Sequence, residues 1–132
     1  WIMQRADPYV YRHTDGTYYF TASIPAYDGI VLRPGPLHLP LLHPGARHRV
    51  FVQTFQHKGR ISHWVNEGPA VIKREGKIFM TYSASETGVA YCMGMLTADE
   101  DADLLDPLSW RKERYPVLFH SSCISIACLF GL

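Results

Sequence analysis

Apolar and aromatic residues fall along this chain in short runs of strand length, broken by glycine, proline and acidic pairs. "YVYRH" and "TYYFTAS" are rich in Tyr, Val, Phe and Thr, side chains that suit a pleated, half-buried surface. "TDGT" lies between them, and its Asp15-Gly16 pair predicts a hairpin in which Gly16 supplies a positive φ. Pro25 in "IPAY" interrupts the ladder, and "DGIVLR" reads as a third strand. Further on, "PAVIKR" and "KIFMTYSAS" flank "REGK", and "VAYCMGMLTA" again supplies a third run. An acidic connection, "DEDADLLDPLS", then leads to a short strand at "WRKE".

The second group repeats the first. Glu75-Gly76 stands sixty residues after Asp15-Gly16, and Glu67 sixty after Asp7. Tyr19-Phe20-Thr21 matches Phe79-Met80-Thr81, and Ser23 matches Ser83. The unit is thus carboxylate, strand, tight turn, strand, loop, strand. Repeated groups of antiparallel strands predict an all-β fold of propeller blades, of which about two are present. A ring needs about four to eight blades, so the repeats imply a larger fold than the chain contains.

Two stretches depart from the plan. Residues 34–60 hold prolines 34, 36, 40 and 44 and histidines 38, 43, 48 and 57. The prolines oppose a central strand or a helix through the first half. The histidine spacing fits no metal-ligand pattern, and the segment reads as a solvated insert or loop. Residues 120–132 form an apolar tail too short to span a bilayer as a helix. The expected organisation is a first blade at 1–33, the Pro/His-rich insert at 34–60, a later blade at 61–119 and the tail at 120–132.

Composition narrows the function classes. The chain has 132 residues, 47% hydrophobic and 19% charged, with a net charge of +1. Its basic residues are scattered and do not alternate with aromatics, so neither a nucleic acid nor an anionic membrane is an expected partner. Cys92, Cys123 and Cys128 have neither zinc nor disulfide-framework spacing, and Cys92 reads as a small core hydrophobe. Asp99, Asp101 and Asp103 have calcium-loop spacing, but Leu104 stands where the loop needs Gly and Trp110 where it needs Glu. No metal or cofactor is expected. No signal peptide is visible.

The candidate chemistry lies at the mouths of the two strand pairs. Carboxylates there point toward a propeller's axis, and a carboxylate pair is the machinery of glycoside hydrolysis. Plain turn chemistry at Asp-Pro and Glu-Gly-Pro is the competing explanation. Trp64 and Tyr27 offer aromatic faces and Asn66 an amide for a sugar, while packing explains Trp64 equally simply and Tyr27 more simply. His63 reads as a loop residue.

"ADPYVYRHTDGTYYFTAS" resembles the N-terminal motif of glycoside hydrolase family 43, and "WVNEGPAVIKREGKIFMTYSAS" resembles the segment around that family's general acid. "YCMGMLTA" and "DLLDPLSW" are similar to its arabinofuranosidase branch. The resemblance covers residues 1–33 and about 61–119. It implies a five-bladed propeller and an inverting hydrolysis of a terminal furanosyl or xylosyl unit from plant cell-wall polysaccharide, outside the cell. Asp7 is then the general base and Glu67 the general acid; Trp64, Asn66 and Tyr27 remain the substrate-binding candidates by residue type alone. α-L-Arabinofuranosidase is the first expectation. β-Xylosidase and a non-catalytic carbohydrate-binding remnant are the alternatives. The family also uses a third carboxylate, an Asp that tunes and orients the acid, and residues 34–60 contain nothing like its surroundings. An internal deletion with foreign sequence at 34–60 and in the tail is the expected cause.

Overall fold

A computed structural model of the chain describes residues 6–25, 29–35, 48–50, 65–84 and 91–119. Among these residues the fold is all-β, two antiparallel sheets with one 3-10 turn at Pro107–Ser109. The first sheet is a meander of β1 (Ala6–Arg12), β2 (Tyr18–Ser23), β3 (Ile30–Gly35) and β4 (His48–Val50). The second contains β5 (Glu67–Arg74), β6 (Lys77–Ser83), β7 (Cys92–Asp99) and β8 (Arg111–Lys112), with β9 (Leu118–Phe119) also paired to β7. No helix among the described residues is long and apolar enough to cross a membrane.

The expected strand runs and the break at Pro25 are present. Within the segment expected to be an insert, Pro34-Gly35 extends β3 and His48–Val50 pairs with it as the sheet edge. Residues 36–47 and 51–60, with His38, His43 and His57, lie outside the described residues, as do Cys123, Cys128 and the tail.

The two hairpins solve their turns differently. Residues 13–17 form a five-residue loop between the paired Arg12 and Tyr18. Gly16 there takes φ +87°, and Asp15 Oδ1 accepts from the Thr17 amide at 2.7 Å. The second turn is two residues, Glu75 and Gly76, at φ +52° and +73°. Two consecutive positive φ values match the right-handed twist of the flanking strands.

Alternation along the strands places one face of each sheet against the other. Ile30 and Leu32 from the first sheet join Val71, Ile78, Met80, Tyr82 and Leu96 from the second in one buried cluster, with Tyr11 and Tyr19 packed at its edge. Each such buried aliphatic side chain contributes about 1.5–3 kcal/mol. Phe20, Ala22, Ile24 and Val31 form a second cluster on the opposite face of the first sheet. Cys92 lies in the main core, its thiol donating to the Ala84 carbonyl. Trp110 is also core, its indole N–H donating to the Leu104 carbonyl at 2.9 Å. This burial accounts for an aromatic residue at the end of the acidic connection. Two of the connection's aspartates serve its own turns, since Asp103 accepts from the Leu105 amide and Asp106 caps the 3-10 turn through the Leu108 amide.

Tyr82 crosses directly over its ladder partner Gly94. A Cβ built on Gly94 meets the Tyr82 ring and hydroxyl at 2.3 Å, so only glycine admits the ring there. Burial pushes the Tyr82 hydroxyl well above the usual phenol range.

Polar contacts clasp the sheets at the hairpin end. Glu100 accepts from Lys73 Nζ and from Thr14 Oγ1, and its backbone carbonyl lies 2.9 Å from His13 Nε2. Tyr9 adds a hydrogen bond to the Val71 carbonyl at 3.0 Å. Hydrogen bonds from Lys73 first, and then from Thr14, hold the Glu100 carboxyl below its ordinary range. A Lys77 hydrogen bond does the same to Asp99.

Two outcomes follow. Gly94→Ala should cost about 1–3 kcal/mol in urea unfolding, because the Tyr82 ring has to move; an unchanged midpoint would contradict the close approach. Glu100 and Asp99 have folded pKa values below their unfolded ones, so they contribute stability above about pH 4, lost as pH falls through the folded values. Urea midpoints should therefore drop on acidification below about pH 4. Glu100→Gln should flatten that decline, and a decline identical to wild type would show that the clasp carries none of it.

Candidate active site

The first strand of each sheet enters its ladder through a bulge, and the two bulges lie side by side. In β1 the pairing passes from Ala6–Ser23 to Tyr9–Thr21, and in β5 from Glu67–Ser83 to Ala70–Thr81. The first bulge residue has a positive φ in both sheets, 50° at Asp7 and 59° at Gly68, and a proline follows each. Aspartate is among the few non-glycine residues that tolerate this region.

This register revises the repeat as read from spacing. From β2 to β6 the offset is sixty, Thr21 to Thr81 and Ser23 to Ser83, as expected. From β1 to β5 it is sixty-one, Ala6 to Glu67 and Tyr9 to Ala70. The position equivalent to Asp7 is therefore Gly68, and Glu67 is equivalent to Ala6. The cause is the turn. Five residues separate Arg12 from Tyr18, but four separate Lys73 from Ile78. The two carboxylates are thus mounted differently, Asp7 within a bulge and Glu67 on the ladder beside Ser83.

Asp7 nonetheless reaches the strand that carries Glu67. Asp7 Oδ2 accepts the Ser23 hydroxyl at 3.2 Å and the Gly68 amide at 3.3 Å. Gly68 immediately follows Glu67, so the Asp7 carboxylate rests against the peptide that carries the second carboxylate. Among the described residues both bonds enter at Oδ2. Ser23 is fully buried, giving Asp7 a rigid donor from below. In the second sheet, glycine replaces the aspartate, and a Cβ at Gly68 would lie 3.7 Å from Ser83 Oγ. Ser83 Oγ instead lies 2.8 Å from the Tyr91 hydroxyl.

Glu67 is half-buried. Asn66 is only 1% exposed. Trp64, Tyr27 and His63 lie outside the described residues. Ser23, Gly68 and Tyr91 were not expected in the site. The matching of Ser23 with Ser83 in the repeat signalled the serine, and Gly68-Pro69 set against Asp7-Pro8 signalled the glycine. No group of three or more His, Cys, Asp or Glu among the described residues could hold a metal. The arrangement can donate a proton from one carboxyl and accept one at another.

Comparison with known proteins gives a consistent set of relatives. The sequence profile described as Glycosyl hydrolases family 43 matches residues 4–123. Alpha-L-arabinofuranosidase 43 of Humicola insolens is 28% identical over 232 residues, covering 88% of this chain and 48% of that protein. The extracellular exo-alpha-(1->5)-L-arabinofuranosidase of Streptomyces chartreusis is 27% identical, covering 88% of this chain and 71% of that protein. Among solved structures, alpha-L-arabinofuranosidase from Lactobacillus brevis superposes with a TM-score of 0.71 at 35% identity, over 89% of this chain and 37% of that one. The chain spans about half the length of the Humicola relative. The 232 aligned positions exceed this chain's 132 residues by 100, so at least that many face a gap.

The bulge geometry makes a graded demand on residue 68. Gly68→Ala should destabilise by about 1–2 kcal/mol, because alanine is strained at positive φ. Gly68→Asn should cost less, since asparagine visits that region more readily. Equal unfolding midpoints for the two variants would contradict the left-handed backbone.

Proposed function

Because the chain belongs to glycosyl hydrolases family 43, we propose that it carries the proton-transfer pair of an α-L-arabinofuranosidase, with Asp7 as general base and Glu67 as general acid. One observation supports this most directly, the hydrogen bond from the Gly68 amide to Asp7, which seats the base against the peptide bearing the acid. The relatives named above are arabinofuranosidases, and they support the choice of sugar.

The reaction is a single displacement. Asp7 removes a proton from water, whose oxygen attacks the anomeric carbon. The bond to the leaving oxygen breaks as Glu67 delivers its proton there, and configuration inverts. Such a mechanism needs a gap of about 6.5–9.5 Å between the carboxyls, enough to hold the water. A general acid must also carry its proton near neutral pH, which burial and a neighbouring like charge favour. The substrate is the arabinosyl side chain of a plant cell-wall polysaccharide, met outside the cell, as the Streptomyces relative is extracellular.

We further propose that the two sheets are blades of a five-bladed ring from which an internal segment has been lost. The gap in the Humicola alignment supports this, as does the contact between sheets that carry the base and the acid. The missing walls and third carboxylate would leave the acid poorly enclosed.

The 132-residue chain should therefore turn over an aryl α-L-arabinofuranoside slowly or not at all; rapid turnover would overturn the proposed loss. Completing the chain with the corresponding segments of the Lactobacillus brevis protein should restore hydrolysis. In that chimera Asp7→Asn and Glu67→Gln should each lower kcat by roughly 10²–10⁴-fold. The Glu67 loss should shrink for an aryl leaving group of low pKa, which needs no proton. A chimera whose activity ignores both substitutions would remove these residues from the chemistry.

A further inference from the structure

The serine beneath the base has a counterpart beside the acid. In the first sheet Ser23 donates to Asp7 Oδ2 at 3.2 Å. Its register equivalent, Ser83, is the ladder partner of Glu67, so these two side chains leave the same face of the second sheet. Cross-strand partners hold their Cβ atoms about 4.5–5.5 Å apart, a span that a glutamate side chain covers. A Cβ on Gly68 would lie 3.7 Å from Ser83 Oγ, so the hydroxyl sits against the backbone that follows Glu67. The Tyr91 hydroxyl lies 2.8 Å from the same Oγ. Glu67, Ser83 and Tyr91 are all half-buried.

We propose that Ser83 and Tyr91 are positioning residues for Glu67, with Tyr91 donating to Ser83 and Ser83 donating to the Glu67 carboxyl. The inference rests on Glu67 being the general acid. A proton count supports it. Two hydroxyls joined by one hydrogen bond use one proton and keep the other. A phenol is the stronger donor, so Tyr91 supplies the bond and the serine keeps its own proton. The side chain facing Ser83 across the ladder is Glu67. Such a donor serves an acid in two ways. When one carboxyl oxygen accepts from Ser83, the other is left to carry the proton toward the leaving oxygen. As that proton departs Glu67 becomes anionic, and hydrogen bonds to charged acceptors are the stronger kind. The bond therefore tightens along the reaction and favours the transition state over the bound substrate. Ser83 and Tyr91 retain their own protons throughout. Ser23 is fixed by full burial, whereas Ser83 is half-exposed, and Tyr91 supplies the constraint that burial does not.

The relay can be read in the 132-residue chain without turnover. With carbon-13 at the tyrosine Cζ positions, the Tyr91 NMR signal is assigned by its loss in Tyr91→Phe. It should shift as the pH falls from about 7 to about 4, into the carboxylate range. The shift should vanish in Glu67→Gln, which separates it from Asp7 at the same peptide, and in Ser83→Ala, which removes the link. A Tyr91 signal indifferent to pH, or one that still shifts without the Ser83 hydroxyl, would overturn the relay. In the chimera with the Lactobacillus brevis segments, Ser83→Ala and Tyr91→Phe should each lower kcat about tenfold on an alkyl arabinofuranoside, with KM little changed, as the loss of one hydrogen bond to a group gaining charge requires. An aryl substrate of low leaving-group pKa should hide most of both losses, whereas a purely structural role would slow both substrates alike. Ser83→Thr, which keeps the hydroxyl on a residue suited to strands, should retain most of the rate. A loss for Glu67→Gln with none for Ser83→Ala and Tyr91→Phe would overturn the positioning role alone. Indifference to Glu67→Gln would remove the acid assignment and the inference with it.

Discussion

Face-to-face burial of one sheet by another is the constraint on which the rest of this molecule depends. A four-stranded antiparallel sheet satisfies its backbone internally, but its apolar side chains gain nothing until another surface covers them. Here Ile30 and Leu32 find that surface on Val71, Ile78 and Met80. The same apposition brings the two strand entrances together, so that the Gly68 amide reaches Asp7. The polar clasp at Glu100 joins the sheets at the other end of these strands.

The candidate site is a by-product of that packing. Neither carboxylate is placed by a long-range charge partner among the described residues. Asp7 is placed by a strained backbone, a buried serine beneath it and an amide from the opposing sheet. Such a site is only as ordered as the contact between the sheets. Tyr82 lying over Gly94 stiffens the middle of the second sheet, behind the strand that carries Glu67.

Much of this was legible in the sequence because it rests on local chemistry. The β-branched and aromatic runs mark the strands, and Asp15-Gly16 and Glu75-Gly76 mark the hairpins. The repeated Ser23 and Ser83 keep their predicted equivalence through the sixty-residue offset. The pairing of Asp7 with Glu67 as equivalents failed for a physical reason. Side-chain spacing reports chain length, whereas ladder position also depends on how many residues a turn consumes. Short β4 was also hidden, because three residues within a Pro- and His-rich stretch carry no periodic signal. Gly68 could have been recognised from Gly-Pro beside Asp-Pro, since both residues precede a proline at the start of a strand.

The unequal hairpin turns have a consequence for how such a repeat diversifies. The distal tip absorbs its added residue, so the ladder and the bulge at the opposite rim coincide in the two sheets. What differs at the rim is side chains, Asp7 against Gly68 and Ala6 against Glu67. Solvent-facing tips that take up length without moving the ladder thus leave duplicated units free to specialise residue by residue on an unchanged frame.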